Sequence, residues 1–388
     1  MRVLLWIGSL HTGGAERQFA LLADGLLREG VEAKLATMIP GGSNWDRFAV
    51  DHPDHLISLN LAPPRTSTGS SIQHMRAPIG LRALIREFRP HVVYSALHLS
   101  NAIAWVSTRA GGPPLVWSVR ASNAMLNPKR AIPFQFCKAT ARTVPLAIAN
   151  AQAGRQYYRQ RGFRPRRFEI VGNGIDTDRF RPDDRARTAL REEWGIGPER
   201  PVIGAVSRIV SGKGHEILLT AARHVVDLSP EVLFIIAGGG PPALQQRLAS
   251  MTRRLGLERH VRWLGHQDDA ARLYPAFDVF CSPSTSEGFP NSVAEAMASG
   301  LGCVVTDAGD SALIVGGTGH VVPVGDAGSL ARGLLLGLDQ FVRGDGDADA
   351  RRRRITTMFS VDQMVRQTHD LLSSVVEERV EHGHGARR

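Results

Sequence analysis

Residues 281–300 read CSPSTSEGFPNSVAEAMASG, and this stretch indicates the fold more strongly than any other in the chain. The apolar run at residues 279–282 predicts a buried strand that leads into it. After the break at Pro290 and Asn291, residues 292–299 predict a helix. Strand, loop and helix in this order are the unit from which α/β proteins with parallel sheets are built.

Two glutamates lie within this stretch. Glu287 falls in the predicted loop and Glu295 in the first turns of the predicted helix. The amides of residues 291–293 would point at an anion, because a helix N-terminus carries unpaired N–H groups and a partial positive charge. A carboxylate nearby can bind the vicinal hydroxyls of a sugar. The pair could also be an acid/base dyad or two surface glutamates, and the flanking GFP, EAMA and SG favour a binding site.

A second motif, SRIVSGKG at residues 207–214, follows a predicted strand at 202–206. Its Arg208 and Lys213 lie five residues apart across a short turn with two glycines. Two cations at the carboxyl end of a strand can converge on a diphosphate. Taken alone, the motif would favour a pair of solvated surface charges.

The N-terminus repeats this arrangement, with an apolar strand predicted at residues 3–7 followed by HTGGAERQ. A helix is predicted from Gly14, because the spacing of Ala15, Phe19, Leu22 and Leu26 places them on one face. Two glycines before a helix allow a phosphate to approach the backbone, although a plain turn has the same appearance. The stretch matches neither the dinucleotide fingerprint nor a P-loop.

Alternating strands and helices extend through both halves of the chain and predict two Rossmann-like domains with parallel sheets facing a cleft. The Gly-, Asp- and Pro-containing stretch 172–184 suits a connection between them. The Ser- and Thr-rich residues 63–77 predict a mobile loop, followed by a helix at 81–88. Further strands are predicted at 33–37, 92–95 and 115–119 in the first half and at 232–237, 261–264 and 303–306 in the second.

Composition narrows the function classes. The chain has 388 residues, 43% of them hydrophobic, which suffices for two packed cores. No run of about 18 apolar residues could span a bilayer, and the N-terminal apolar run is too short for a signal peptide. Three widely spaced cysteines give neither a disulfide framework nor a zinc site, which fits reduced thiols in the cytoplasm.

Charge is unevenly distributed along the chain. Of the net charge of +10, residues 1–172 contribute 22 Lys and Arg against 9 Asp and Glu, and the remainder is slightly acidic. Such a field can attract an anionic membrane surface, a phosphorylated substrate or nucleic acid, and an Arg-rich composition without a specific partner is an equal alternative. Nucleic acid is disfavoured, since no aromatic–basic interleaving or known module is present. The run 351–354, RRRR, is predicted to face solvent.

An ordered set of motifs across nearly the whole chain resembles glycosyltransferase family 4, retaining nucleotide-sugar-dependent enzymes of the GT-B fold. The set comprises GGAERQ (13–18), NGID (173–176), SRIVSGKG (207–214), AGGGP (237–241), SEGFPNSVAEAMASG (286–300), VVTDAGDSALIVGGTGHVVPVGD (304–326) and a C-terminal helix that begins at FS (359–360). The resemblance implies an acceptor-binding domain at 1–172 and a nucleotide-sugar-binding domain at 173–358. Residues 359–388 would then form a helix that crosses back to the first domain, followed by a tail.

The resemblance also implies roles for single residues. Arg208 and Lys213 would bind the donor diphosphate, and Glu295 would bind the ribose. Glu287 would lie beside the donor hexose; with Arg208 and Lys213 it forms the catalytic set. The remaining donor contacts would be Gly14 from the first domain, Gly288, Phe289 and Pro290 at the sugar, and the amides of Asn291 and Ser292 at the phosphates. No metal is expected, because cations and helix N-termini can stabilise the leaving diphosphate.

Two departures from the family pattern concern the acceptor side and a glycine loop. Arg120 stands where many members carry a histidine, and an arginine cannot act as a general base at neutral pH. Arg120 could meet a phosphate instead, and His98 is a second acceptor-side candidate, although a structural histidine is an equal alternative. Gly239 replaces an acidic residue common in that loop.

The resulting hypothesis is a cytoplasmic retaining hexosyltransferase, peripheral on the inner face of the membrane. It would use a UDP- or GDP-hexose and a glycan or lipid-linked acceptor in bacterial surface polysaccharide, lipopolysaccharide or glycolipid assembly. The alternatives are a soluble-sugar transferase of the sucrose- or trehalose-synthase type and a non-catalytic GT-B binding subunit. The nucleobase, the sugar, the acceptor, the linkage and the oligomeric state stay open.

Overall fold

The structure, a computed structural model, describes residues 1–11, 13–61, 67–109, 111–120 and 128–385, without the side chains of 67–75, 128–130 and 382–385. The chain forms two compact units. The first comprises Met1–Gly174 together with Val361–Arg388, and the second comprises Ile175–Ser360. Each unit is built on one parallel sheet.

The first unit has a seven-stranded sheet in the order β3-β2-β1-β4-β5-β6-β7, and all pairs of neighbouring strands are parallel. Its strands are β1 (Arg2–Ile7), β2 (Glu32–Thr37), β3 (Leu56–Ser58), β4 (Val92–Ala96), β5 (Leu115–Val119), β6 (Leu146–Ala149) and β7 (Arg167–Ile170). Its helices are α1 (Gly14–Arg28), α2 (Ser43–Asp51), α3 (Ser67–Phe88), α4 (His98–Thr108), α5 (Pro128–Thr140), α6 (Gln152–Gln160) and, at the C-terminus, the helix Val361–Gly385.

Both faces of this sheet are buried, which is why β1 reads as a continuous apolar run. Val3, Leu5 and Ile7 pack with Phe19 of α1 and with the C-terminal helix. Leu4 and Trp6 point to the other face, into a core shared with α3, α4 and α5. A Cβ on Gly25 would lie 2.3 Å from a methyl group of Val365, so this glycine allows α1 and the C-terminal helix to approach closely.

The prediction of a mobile loop at 63–77 is wrong for residues 67–77, because α3 already begins at Ser67. Residues 63–66 lie outside the described residues. Pro78 within α3 interrupts the helical pattern in the sequence. Its carbonyl accepts a hydrogen bond from the buried Ser107 hydroxyl (3.2 Å), and the apolar face of α3 packs into the core. Tertiary packing thus outweighs local propensity here.

The second unit has a six-stranded parallel sheet in the order β10-β9-β8-β11-β12-β13. Its strands are β8 (Val202–Val206), β9 (Leu233–Ala237), β10 (Val261–Gly265), β11 (Val279–Ser282), β12 (Gly302–Thr306) and β13 (His320–Val322). Its helices are α7 (Asp184–Glu193), α8 (His215–Leu228), α9 (Pro242–Arg254), α10 (Asn291–Ala298), α11 (Ser311–Val315), α12 (Ala327–Arg343) and α13 (Ala348–Met358), so that the C-terminal helix of the first unit is α14.

When the six strands are numbered from 1 within this unit, their order in the sheet is 3-2-1-4-5-6, which is the Rossmann order. The order reverses between β8 and β11, which are neighbours in the sheet although 72 residues lie between them in sequence. Ligands bind at such a switch point, beyond the carboxyl ends of the strands. The two motifs richest in chemistry, 207–214 and 283–300, follow these two strands.

The prediction that residues 351–354 face solvent is wrong for three of the four arginines. They lie on α13, where Arg351, Arg352 and Arg354 are partly buried and donate hydrogen bonds to backbone carbonyls. Arg353 alone is exposed. Carbonyls at the C-terminal ends of α10 and α11 lack helical partners, and the guanidinium groups supply donors for them.

The fold-class prediction, two Rossmann-like domains of the GT-B type, is confirmed by these two sheets. In the described part of the chain, no helix is both long and apolar enough to cross a membrane. The three cysteines are buried and unpaired with one another.

Candidate functional site

The loops after β8 and β11 meet because two glycines allow their backbones to touch. Gly214 has φ +68°, and a Cβ on it would lie 1.8 Å from the carbonyl oxygen of Pro283. Gly212 accepts a hydrogen bond from the amide of Thr285 (2.8 Å). The motif 207–214 is therefore held directly against the start of the motif 283–300.

The glycine loop after β9, residues 238–240, packs against the start of the motif 207–214. Gly238 has φ +149°, and a Cβ there would lie 1.8 Å from the carbonyl oxygen of Ser207. The amide of Ile209 donates to the carbonyl of Gly239 (2.8 Å). The absence of an acidic side chain at position 239 leaves this contact purely one of backbone groups.

Lys213 and Glu287, predicted from separate motifs, come together in an ion pair. The Lys213 Nζ lies 2.5 Å from Glu287 Oε1, and the Ser284 hydroxyl donates to the same oxygen at 2.7 Å. The two charged side chains are 22% and 10% exposed, so solvent screens the pair only in part. An ammonium group has three donors, so Lys213 can bind Glu287 and a phosphate oxygen at once.

Arg208 lies in the same loop but takes no part in this ion pair. Its side chain is exposed, and among the described residues it has no carboxylate within salt-bridge distance. Lys213 and Glu287 neutralise each other, so Arg208 gives the loops after β8 and β11 a net positive charge. Such a charge attracts a diphosphate.

The segment 287–290 is fixed by the loop after β12. The amide of Asp310 donates to the carbonyl of Gly288 (2.9 Å), and Gly309, at φ +61°, lies against the same carbonyl. Phe289 packs edge-to-face on Phe359, with ring centroids 5.4 Å apart. Gly288, Phe289 and Pro290 are all buried.

Glu295 lies one turn into α10, which begins with the half-buried Asn291 and Ser292 after Pro290. The carboxylate is 4% exposed, and the Tyr274 hydroxyl donates to its Oε2 at 2.8 Å. Tyr274 is itself fully buried. The phenol therefore fixes the orientation of a carboxylate that would otherwise be costly to bury.

In the first unit, Arg120 lies at the carboxyl end of β5. Its guanidinium Nη1 donates to Asn173 Oδ1 at 2.7 Å, and burial lowers the pKa of Arg120 although the nearby Tyr94 opposes the shift. Its Nε is buried without a hydrogen-bond partner in the described structure. A cavity of about 10 Å³ adjoins it, the space of one water molecule.

His98 begins α4 and serves the core rather than an open site. Its Nε2 lies 2.7 Å from the Tyr158 hydroxyl, which in turn donates to the backbone carbonyl of Arg120 (3.3 Å). The imidazole also packs edge-to-face on Phe134. This arrangement fits the structural alternative for His98, and it connects His98 with the backbone of Arg120 through Tyr158.

Gly14 is exposed at the start of α1, and the same motif holds a contact that the sequence did not indicate. The buried Gln18 amide donates to the carbonyl of Gly174 (2.9 Å) and accepts from its amide (2.7 Å). This contact joins GGAERQ to NGID within the first unit, although Gln18 and Gly174 are 156 positions apart in sequence. Ser284, Tyr274 and Asn173 are further partners that only the structure reveals.

These features define a class. The switch point of this Rossmann-type sheet presents two cations, a buried glutamate and a helix N-terminus. This combination is typical of proteins that bind nucleoside diphosphates. Among the described residues, no group of three or more His, Cys, Asp or Glu side chains is placed to hold a metal ion.

Comparison with known proteins identifies the family. The family model "Glycosyltransferase Family 4" matches residues 12–179, and "Glycosyl transferases group 1" matches residues 200–340. D-inositol 3-phosphate glycosyltransferase from Rhodococcus erythropolis is 31% identical over 352 residues, which cover 84% of this chain and 76% of that protein. The chain belongs to glycosyltransferase family 4, as its motifs predicted.

Other relatives match over shorter stretches. Putative glycosyltransferase EpsF from Bacillus subtilis is 33% identical over 167 residues, 43% of each chain. Two further D-inositol 3-phosphate glycosyltransferases, from Rhodococcus jostii and Catenulispora acidiphila, are matched over 55% and 62% of their own lengths. The chain thus spans less than two thirds of these three relatives.

Solved structures share the fold over nearly the full chain. HepE from Anabaena, in complex with UDP and glucose, has a TM-score of 0.80 at 22% identity and covers 96% of this chain and 100% of its own. Sucrose-phosphate synthase from Thermosynechococcus elongatus has a TM-score of 0.81 at 17% identity, covering 97% and 100%. WaaG, a glycosyltransferase involved in lipopolysaccharide biosynthesis, has a TM-score of 0.72 at 16% identity, covering 95% and 99%.

Proposed function

We propose that the protein transfers a hexose from a UDP- or GDP-hexose to a glycan or lipid-linked acceptor, with retention of anomeric configuration. The observation that carries this proposal is the cluster of Lys213, Glu287 and Ser284 at the switch point between β8 and β11, beside the exposed Arg208. Retention rests on the family resemblance alone.

The donor diphosphate would bind between Arg208, Lys213 and the amides at the start of α10. Negative charge grows on the diphosphate as the bond to the sugar breaks, so cations placed there stabilise the transition state more than the ground state. Lys213 keeps two donors beyond its bond to Glu287. This supports turnover without a metal ion. Gly14 is proposed as a further donor contact.

Glu287 would lie beside the hexose and stabilise positive charge that develops at the anomeric carbon. Its position supports this role, because Lys213 and Ser284 hold the carboxylate and both bind the same oxygen. Gly288, Phe289 and Pro290 would line the sugar pocket, and Glu295 would bind the ribose hydroxyls. Tyr274 would keep the Glu295 carboxylate in place for that contact.

The acceptor is proposed to carry an anionic group, as a phosphate-linked lipid carrier does. Arg120 supports this choice, since its guanidinium donates to the Asn173 amide oxygen and, among the described residues, has no carboxylate within salt-bridge distance. WaaG, among the structural relatives, acts in lipopolysaccharide biosynthesis, and surface polysaccharide or glycolipid assembly is the pathway proposed here.

A second candidate acceptor is a soluble phosphorylated sugar or cyclitol. The relatives named D-inositol 3-phosphate glycosyltransferase and the fold relative sucrose-phosphate synthase favour it. The same guanidinium of Arg120 would serve either acceptor. A transfer assay with inositol phosphate and sugar phosphates against lipid-linked acceptors separates the two.

The experiment that tests the proposal is a thermal-shift screen of UDP, GDP, ADP and their hexose derivatives on the wild type, on Arg208→Ala and on Arg254→Ala. Ligands that bind the folded state raise its unfolding temperature. We expect one nucleotide series to raise it in the wild type and in Arg254→Ala, an exposed control on α9, but much less in Arg208→Ala. No shift with any nucleotide would overturn the donor assignment.

Release of nucleoside diphosphate from the donor identified in this way then separates an enzyme from a binding subunit. We expect slow release in water alone and faster release when an acceptor is present. A protein that binds the donor but never releases the diphosphate, with any acceptor, would be the non-catalytic subunit.

A further inference from the structure

The positive charge of the first unit is concentrated in one continuous stretch of sequence. Between Glu87 and Glu169 the chain has no Asp or Glu, and the 81 residues between them include 13 Lys and Arg. The other seven acidic residues of the first 172 all precede Glu87. This stretch holds β4, β5, β6 and α4 to α6.

The sheet order places the strands of this acid-free stretch next to one another. In the order β3-β2-β1-β4-β5-β6-β7, the strands from the acid-free stretch occupy one half of the sheet. Acidic residues such as Asp24, Glu32 and Asp51 belong to elements around β1, β2 and β3, in the other half. Within residues 1–168, the cations of β4 to β6 and their helices therefore lie in one half of the sheet and the acids in the other, while α14 places Glu378 beside Arg167 on β7.

The exposed cations of this half form one continuous surface, which we call the cationic face: Arg109, Lys138, Arg142, Arg159, Arg164 and Arg166. Three contacts join its elements. The Trp105 indole on α4 donates to the hydroxyl of Thr143 (2.8 Å), next to Arg142. Lys138 lies against Gly162, in the turn after α6, and the amide of Arg166 donates to the carbonyl of Val144 (3.1 Å).

The charge of the cationic face is not neutralised within the protein. In the described part of residues 88–168, Arg167 alone is within salt-bridge distance of a carboxylate, that of Glu378 (2.6 Å). Arg164 instead donates to the carbonyls of Arg159 and Phe163, and neutral acceptors leave its charge in place. An external anionic partner would supply the missing countercharge.

Apolar groups lie on the same helices as these cations. Ile132 on α5 is 77% exposed, and it precedes Lys138 by about 9 Å along the helix axis. The partly buried Trp105 ring has Arg109 stacked at 4.1 Å and Phe136 against it edge-to-face. Basic side chains, an exposed aliphatic side chain and a tryptophan at the rim are the composition of surfaces that bind at a membrane interface.

From this we infer that the cationic face docks on an anionic lipid surface. Each Lys or Arg near such a surface strengthens binding by about fivefold, and the attraction extends over roughly 8 Å in physiological salt. Ile132 can enter the apolar boundary below the headgroups, which a nucleic acid does not offer. The faces of Trp105 are already in contact with Arg109 and Phe136, so the ring is no platform for stacking bases.

This inference does not depend on the proposed sugar transfer, and its test keeps the two separate. The charge-reversal variant Lys138→Glu/Arg142→Glu/Arg166→Glu changes three exposed side chains that make no hydrogen bond in the structure described. The matched control is Arg47→Glu/Arg253→Glu/Arg254→Glu, with the same change in net charge at exposed residues that are not part of the cationic face. Nucleotide-induced thermal shifts should be the same in all three proteins, which establishes that the variants are folded.

Flotation with vesicles of phosphatidylcholine containing roughly 30 mol% phosphatidylglycerol measures the binding. We expect the wild type and the control to float and the variant to bind at least about 100-fold more weakly. Binding should also fall between low salt and about 0.5 M salt. The variant Ile132→Ser should weaken the part of the binding that survives high salt.

Three results would overturn the inference. Equal flotation of variant and wild type would remove the cationic face from the contact, and equal binding to pure phosphatidylcholine vesicles would remove the electrostatic basis. Preferential binding of the wild type to an RNA oligonucleotide over anionic vesicles at the same salt concentration would assign the face to nucleic acid.

Discussion

Glu295 shows how much a single buried carboxylate depends on its neighbours. It is almost fully enclosed, and the Tyr274 hydroxyl fixes one of its oxygens. If it binds the ribose, it does so in the ground state and in the transition state alike, so its loss should appear in nucleotide affinity. If it were a general acid or base, its loss would appear in the rate.

We predict that Glu295→Ala weakens binding of the free nucleoside diphosphate by roughly 10- to 150-fold, because charged hydrogen bonds are lost. Glu295→Gln keeps the size and one acceptor and should lose less. Calorimetric titration of the nucleotide into wild type and both variants measures this, with the 2′-deoxy nucleotide as a control that should be less sensitive to the substitution. Dissociation constants equal to that of the wild type would exclude the ribose contact.

His215 begins α8 directly beside the cationic loop. It is 5% exposed, and its Nε2 lies 3.2 Å from the Ser207 hydroxyl. Burial lowers the pKa of His215 to about 4, and the Lys213 ammonium acts in the same direction. The imidazole is therefore neutral at physiological pH, so the positive charge of the loop comes from Lys213 and Arg208.

A pH dependence of stability follows. Between about pH 6.5 and pH 4 the unfolded chain protonates this histidine while the folded protein does not, so about 3 kcal/mol of stability is lost as the pH falls through that window. Above about pH 7 the effect is absent. Urea unfolding of wild type and His215→Gln across this range should show a shallower decline in the variant, and parallel curves would contradict the assignment.

At the scale of elements, most of the longer strands were predictable from the sequence and the shortest strands were not. β5, β8 and β11 match their predicted bounds, because strands buried on both faces appear as short apolar runs. β3, β7 and β13 were missed, since edge strands of three or four residues carry no continuous buried run. β6 was also missed, because an apolar run of four residues cannot be told from part of a helix. The start of α3 was hidden by Pro78 and by Ser and Gly.

In the candidate site, too, some residues were predictable from the sequence and their contacts were not. Motif spacing identified Arg208, Lys213, Glu287 and Glu295, but it could not show that Lys213 pairs with Glu287, because these residues are 74 positions apart. Ser284, Tyr274 and Gln18 carry no signal in one sequence, as their function is to orient other groups. Contacts of this kind depend on how the sheet brings distant loops together.

α13 illustrates an element whose charge misled the prediction. The Arg352 guanidinium donates to the carbonyls of Phe180, Ala298 and Thr177 at 2.7–2.9 Å. It therefore joins the end of α10 to the segment that enters the second unit. Its neighbour Arg353 is exposed and forms only a long surface pair with Asp347 (3.6 Å).

We predict that Arg352→Ala destabilises the second unit by about 2 kcal/mol, which corresponds to about 4–8 °C in its unfolding midpoint. Arg353→Ala is the matched control and should change the midpoint little, because exposed ion pairs contribute little. Differential scanning calorimetry measures both. Equal midpoints for the two variants would show that the carbonyl contacts contribute nothing to stability.

At the scale of the whole molecule, two Rossmann-like units and an ordered set of motifs place the chain in glycosyltransferase family 4. The fold class followed from the sequence because the βαβ alternation and the motif order extend through both halves. The acceptor did not, since the residues that select it are not marked by such motifs. The charge excess of the first half did become interpretable once the sheet order assigned it to one side of the first unit.

The chemistry proposed for the donor needs no metal ion, since Arg208, Lys213 and the start of α10 supply the positive charge. We predict that turnover of the nucleotide sugar persists after dialysis against EDTA and in its presence. Addition of Mg²⁺ to the dialysed protein should change the rate less than about twofold, a change that corresponds to a small free energy of activation. Loss of turnover that Mg²⁺ restores would contradict this prediction.

The central claim is that the edge between β8 and β11 stabilises the leaving diphosphate, and steady-state release of nucleoside diphosphate tests it most directly. Arg208→Ala and Lys213→Ala should each lower kcat/KM by roughly 100-fold or more, while the exposed control Arg254→Ala stays at the wild-type value. The double variant Arg208→Ala/Lys213→Ala should fall further. Wild-type turnover in the double variant would contradict the account.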